Sequence, residues 1–292
     1  MIHPDRRSLI AAAGLASLAA AAPRPQEPPA RLPGRTPHTR FAVNIEMWFG
    51  GRPYPERMRA AAALGFPAVE FWPWRGKDLD AIDATRRELD LEIAQFTGWG
   101  FTPPLCDPAN HAAFVEELRA AAAVANRLGA KCMTVLAGND QPGMEREQMH
   151  DHLIAGLKLG APVAEDADVV LILEPLNTRV DHRGYCLSSS DDAVRICREV
   201  GSTHVKINWD LYHQQITEGD LCGHLREGFD AVGYVQLADH PGRHEPGTGE
   251  IHYNRVLREL HDLGYRGLVG LECSPRDGEA QAAERVAAAD VW

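Results

Sequence analysis

"VVLILEPLNTR", residues 169–179, carries the pattern on which the fold of this chain turns. A short apolar, β-branched run ends on an acid, Glu174, and passes into a polar turn. Working outward, runs of the same kind stand at "FAVNIEMWF" (41–49), "AVEFWPW" (68–74), "LEIAQFTG" (91–98) and "KCMTVLAG" (131–138). Three more follow: "VKINWDLYH" (205–213), "VGYVQLADH" (232–240) and "GLVGLECSP" (267–275). Amphipathic, alanine- and leucine-rich stretches such as "HAAFVEELRAAAAVANRLGA" and "YNRVLRELHDLGY" separate them. Several of those stretches close on Gly65, Gly129 and Gly264, the usual stop signal of a helix. Alternating β and α elements predict a parallel sheet with helical cover. Eight such repeats within about 250 residues fit an α/β fold, a (β/α)8 TIM barrel in a single domain, better than an open doubly wound sheet. No G-x-G-x-x-G follows the first run, so a dinucleotide-binding fold loses its main support.

The bulk properties agree. A chain of 292 residues, 45% hydrophobic and 24% charged, can bury a full core without disulfides or an obligate partner. Its formal net charge of −11 argues against a nucleic-acid partner, because phosphate recognition needs clustered Lys and Arg. A small anionic substrate remains open, since one arginine in a pocket can hold a carboxylate. The six cysteines show no C-x-x-C and no zinc spacing.

The N-terminal stretch "DRRSLIAAAGLASLAAAAPRPQEPPA" pairs Arg6 and Arg7 ahead of a short Ala/Leu-rich segment and a possible A-x-A site at Ala20–Ala22. It resembles a twin-arginine export signal. The expected layout is a signal peptide over residues 1–30, a proline- and arginine-rich linker over 31–40 and the barrel over 41–292. The expected location is the periplasm, with no stable membrane span after processing. A homo-oligomer stays open, because Trp48, Trp72, Trp74 and Trp99 suit a pocket wall or a subunit contact as well as a core.

In such barrels chemistry sits at the C-terminal ends of the strands. Here the last four runs each end on an oxygen-bearing side chain: Glu174, Asp210, Gln236 and Glu272. Crowded carboxylates repel one another and are costly to desolvate unless a cation neutralises them. Three acids and an amide oxygen form a hard oxygen site, suited to Mg2+ or Mn2+. A lone strand-end acid would as readily pair with a nearby Arg or Lys, and Glu46 and Glu70 stand alone in their runs. Nearby polar residues are the candidate substrate contacts: Asn177 after Glu174, His213 three residues past Asp210, and His240 and Arg243 after Gln236. Glu70 is a further candidate, and a structural ion pair would account for it equally well. Arg243 suits a two-pronged grip on a substrate carboxylate, with Glu245 and Glu250 expected to hold it and its loop in place.

The segments "LEPLNTR", "WDLYHQQ", "VQLADHPGRHEPGTGEIHY" and "GLVGLECSP" resemble the xylose isomerase-like barrel superfamily, and its hydroxypyruvate isomerase branch most closely. The resemblance covers about residues 41–275 and is weakest in the loop between Gly98 and His111. It implies a divalent metal held by Glu174, Asp210, Gln236 and Glu272, with Glu174 and Glu272 doubling as the catalytic acid/base pair. The ketose 3-epimerase branch has histidine where this chain has Gln236, and the endonuclease branch uses several histidines missing from these strand ends.

The reaction so implied interconverts hydroxypyruvate and tartronate semialdehyde, moving a proton between adjacent carbons through an enediolate. The metal would act as a Lewis acid on the developing charge, and the two glutamates would carry the proton. A keto-sugar epimerase would use the same groups on a larger substrate. A non-catalytic exported sugar-binding barrel is the reading from another class.

Overall fold

The eight apolar runs form eight parallel strands: β1 (Arg40–Asn44), β2 (Ala68–Pro73), β3 (Glu92–Trp99), β4 (Cys132–Leu136), β5 (Val170–Glu174), β6 (Val205–Asp210), β7 (Val232–Leu237) and β8 (Leu268–Leu271). Each pairs with the next, and β8 returns to β1 through Phe41–Val269 and Val43–Leu271, which closes the barrel. Nine helices lie among the described residues: α1 (Tyr54–Ala63), α2 (Leu79–Leu89), α3 (His111–Leu128), α4 (Arg146–Ala167), α5 (Ser190–Val200), α6 (Leu211–Thr217), α7 (Leu221–Gly228), α8 (Tyr253–Asp262) and α9 (Glu279–Ala288). This is the (β/α)8 architecture expected from the repeat. The computed structural model describes residues 32–292, and the signal expected at 1–30 lies outside the described residues. Among the described residues no helix is long and apolar enough to cross a membrane.

Local chemistry sets the helix ends. Asp78 and Ser189 accept backbone N–H groups at the starts of α2 and α5. Gly129 ends α3 at φ 71°, a conformation that favours glycine. Between strands and helices runs the main apolar layer, with Trp48, Phe71, Phe96, Leu173 and Trp209 buried in it. Inside the barrel a second, smaller cluster joins Ala42, Ala68 and Ala94 to Cys132, Ile172 and Tyr234. Three alanines leave the space that the larger Tyr234 and Ile172 fill, as interior layers of such barrels require.

Above that cluster the interior turns polar. Asn44, Glu70, Gln95, Thr134, Asn208 and Gln236 are all buried there or beside it. Gly270 on β8 makes this possible, because a Cβ there would stand 2.4 Å from Glu70 Oε2 and 2.9 Å from Gln236 Cγ. Gly270→Ala is therefore expected to overpack the barrel and destabilise the fold by about 1–3 kcal/mol. A urea titration checks it, with the midpoint falling at an unchanged slope.

The expected linker is bound to the barrel over its described part. Gly34 N–H donates to Leu64 O at 2.8 Å, and His38 and Thr39 N–H donate to Asp290 Oδ2 at 2.9 and 3.0 Å. His38 also stacks on Trp292, ring centres 4.3 Å apart. Arg40 already belongs to β1.

Candidate active site

Strand geometry gathers the last four strand ends at one mouth. Asp210 on β6 lies in register with Gln236 on β7, Glu174 closes β5, and Glu272 follows β8 by one residue. One ligand atom each from Glu174, Asp210, His213 and Glu272 falls within 4.8 Å of the others, and all four residues are buried. Asp210 divides its carboxylate. Oδ1 caps α6 by accepting Tyr212 N–H at 2.7 Å and His213 N–H at 3.3 Å. Oδ2 is buried with no hydrogen-bond partner among the described residues.

The electrostatics are those of crowded, buried acids, which a cation would relieve. Burial, then the charges of Glu272 and Asp210, raises the Glu174 carboxyl well above the usual carboxylate range. Burial and Glu272 push Asp210 up to about 7. Among the described residues one cation opposes them: Arg243 Nη2 donates to Glu272 Oε2 at 2.6 Å, with its guanidinium 5.0 Å over the Tyr212 ring. A single arginine does not balance three buried acids, and the orphaned Asp210 Oδ2 leaves a lone pair unused. The donor set is oxygen-rich, with one imidazole beside it, and it fits a hard divalent ion.

His213 stands inside this cluster, with Nε2 3.8 Å from Asp210 Oδ2. Its Nδ1 accepts from Asn177 Nδ2 at 2.7 Å and from Asn177 N–H at 3.3 Å. Arg243 Nη2 stands 3.4 Å from Nε2, so both ring nitrogens face N–H donors. Burial first, and Arg243 second, hold the ring well below its usual pKa, so it is neutral.

Several expected contacts lie elsewhere. Asn177 sits behind His213 and off the cavity wall: Nδ2 also donates to Asp181 Oδ2, and Oδ1 accepts Val180 and Asp181 N–H. His240 packs beside Tyr212, ring centres 5.9 Å apart, and is likewise off the wall. Glu70 lies in the barrel interior behind Gln236, bonded to neutral donors instead of a cation. Glu46 does form an ion pair, 2.8 Å from Lys77 Nζ.

The loop after β7 is organised by Asp239, which accepts N–H groups from His240, Gly247, Thr248 and Ile251. Gly249 is required there, since a Cβ would stand 2.2 Å from His240 O. Arg243 is held in the left-handed region at φ 54°. Glu245 does not hold that arginine: it pairs with Arg285 of α9 and accepts Arg276 N–H, while Glu250 accepts from Gln215. Glu272 is the partner of Arg243.

The mouth opens into a cavity of about 770 Å³. Glu174, Gln236, His213, Arg243 and Glu272 line it together with the apolar Trp72, Trp74, Trp99, Phe101 and Pro103. Trp72 is no core residue: it is 38% exposed, and its Nε1–H donates to Glu272 Oε1 at 2.7 Å. His182, from the loop after β5, also lines the cavity and lies 5.3 Å from the His213 ring. His182 lies eight residues past Glu174, and no motif or apolar run in the sequence marks it. Asn208, two residues before Asp210, shared the inward alternation of β6 and could have been read from it.

Comparison with known proteins places this geometry. The family model described as "Xylose isomerase-like TIM barrel" matches residues 58–290. A hydroxypyruvate isomerase of Escherichia coli (strain K12) is 32% identical over 243 residues, covering 81% of this chain and 94% of that protein. A 2-oxo-tetronate isomerase of Cupriavidus necator is 35% identical over 245 residues, with 82% and 94% covered. Among solved structures, one titled as an AP endonuclease, family 2, from Brucella melitensis superposes with a TM-score of 0.79 at 29% identity, covering 84% of this chain and 96% of that one.

Proposed function

The chain belongs to the xylose isomerase-like TIM barrel family, and from that membership we propose a metal-dependent isomerase of small hydroxy-keto acids that interconverts hydroxypyruvate and tartronate semialdehyde. The observation that carries the proposal is the closed set of buried acids at the ends of β5, β6 and β8, with the Gln236 amide beside them. The names of the relatives supply the substrate class.

Glu174 and Glu272 are the acid/base pair. One takes a proton from the hydroxymethyl carbon of hydroxypyruvate while the hydroxyl proton on that carbon passes to the central carbonyl oxygen, and the other delivers a proton to the central carbon, which leaves an aldehyde and a new hydroxyl-bearing centre. A divalent cation such as Mg2+ or Mn2+, held by Glu174, Asp210, Gln236 and Glu272, would supply Lewis-acid stabilisation of the enediolate charge. Trp72 Nε1–H and Arg243 fix the Glu272 carboxylate from two sides. Arg243 lines the cavity, where its guanidinium suits the substrate carboxylate. Neutral His213 lies beside the same acids and lines the cavity. The arginine pair in the N-terminal segment supports export to the periplasm.

One observation favours a second reading. A cavity of about 770 Å³ with an aromatic wall falls in the range that takes drug-sized ligands and far exceeds a three-carbon acid. A ketose or keto-sugar would fill it using the same acids. A substrate panel in deuterated water separates the two. Hydroxypyruvate is expected to turn over fastest and to exchange its carbon-bound hydrogen. Exchange confined to ketoses or 3-keto-sugars would replace the first reading with the second, and tight binding without exchange would leave a binding protein.

A further inference from the structure

Glu70 presents a buried carboxylate that the chemistry above does not use. It is fully buried in the barrel interior, and no salt bridge to it is found among the described residues. Three neutral donors hold it: Asn44 Nδ2 at 3.1 Å and Gln236 Nε2 at 2.8 Å on Oε1, and the Tyr234 hydroxyl at 2.7 Å on Oε2. Gly270 leaves the space it occupies. A carboxylate on neutral donors is a poor way to stabilise a core, because its desolvation is only partly repaid.

Its effect on Gln236 gives it a use. A carboxamide has two ends of nearly equal shape, and only the oxygen end can bind a cation. Glu70 Oε1 receives two N–H donors and can only accept, so it draws the nitrogen end of Gln236 toward itself. The oxygen end is then turned the other way, where it accepts from Asn208 Nδ2. Asn208 meets that oxygen with its amide nitrogen, because two amide oxygens would repel. Its own Oδ1 is buried without a partner among the described residues. Every link therefore has one direction: Asn208 donates to Gln236, and Gln236 donates to Glu70. Reversing either amide would set oxygen against oxygen.

We propose that Glu70 is a positioning residue that sets the polarity of the Gln236 amide, so that this side chain presents oxygen and not nitrogen to the cation. The inference rests on the metal-dependent reading above. The requirement is an acceptor at Oε1, not a charge, because a proton on Oε2 would leave both Oε1 bonds in place.

The test is calorimetric titration of the full chain with Mn2+ alone, for wild type, Glu70→Gln and Glu70→Met. Glutamine keeps an acceptor for Asn44 and Gln236 and turns its amide nitrogen to Tyr234, so its affinity is expected to stay within about threefold of wild type. Methionine has no comparable acceptor, and its affinity is expected to fall about 10–100-fold, the usual effect of losing an outer partner of a metal ligand. Circular dichroism checks that each variant folds. Should Glu70→Met not fold, Glu70→Leu removes the same acceptor with a different apolar side chain and carries the same expected loss. Unchanged affinity in the folded acceptor-less variants overturns the proposal. So does a Glu70→Gln affinity as weak as theirs, which would mean that the charge matters and not the polarity. Failure of wild type itself to take up Mn2+ removes the metal reading, and this proposal with it.

Discussion

Glu272→Gln is expected to lower kcat on hydroxypyruvate by about 10³-fold or more while the circular dichroism spectrum stays that of the wild type. A well-placed general base contributes on the order of 10²–10⁴-fold by itself. Glu272 also carries a second task, since it belongs to the cluster that would hold the cation. The substitution keeps the size of the side chain and removes only its charge and basicity. Trp72 Nε1–H and Arg243 Nη2, now 2.7 and 2.6 Å from its two oxygens, would face an amide that can satisfy one donor well and repels the other. Deuterium exchange into unreacted hydroxypyruvate isolates proton removal from later steps, and it should fall with kcat. Turnover within about tenfold of wild type would remove Glu272 from the acid/base pair.

Stripping the protein of divalent ions with a chelator is expected to abolish turnover, and adding Mn2+ or Mg2+ should restore it. The same acids predict a stability effect with a definite pH dependence. In the metal-free fold, burial raises Asp210 to about 7 and Glu174 well above its ordinary value. A carboxyl raised above its unfolded value favours folding while it is protonated. That contribution is fully present below the unfolded value near 4 and is lost as pH rises through about 7. Metal-free protein should therefore lose stability between these limits. A cation bound by the ionised acids offsets the loss, and at 100 times its Kd it adds about 2.7 kcal/mol. The rise in Tm on adding Mn2+ should consequently be small at pH 5 and larger at pH 8. A Tm rise that does not depend on pH would place the ion away from Glu174 and Asp210.

Much of this site is legible in the sequence. Glu174, Asp210, Gln236 and Glu272 each follow an apolar run, and a strand that enters the sheet apolar and leaves it polar must deliver its last side chain to the mouth. His213 and Arg243 were legible as neighbours of those ends, and both line the cavity. Asn177 and His240 looked equivalent to them in sequence yet lie off the wall. Asn177 is drawn aside by Asp181 and by the imidazole of His213. His240 sits within a loop whose path is set by the hydrogen bonds to Asp239. Short polar residues in loops have many local partners, and spacing does not say which partner wins.

The repeat of run, turn and helix by itself determined a closed parallel barrel and the end at which its acids gather, because burial and strand pairing depend on local patterns of apolarity. Only the tertiary structure decided which donor meets which acceptor. Gln236 and Glu70 are 166 positions apart, and Trp72 and Glu272 are 200 apart. Those bonds exist only after the barrel has closed β8 onto β1 and cleared a space at Gly270. Hydrogen bonds are short and directional, so the chemical polarity of the site follows from the closed geometry, while the residue types that compose it were written along the chain.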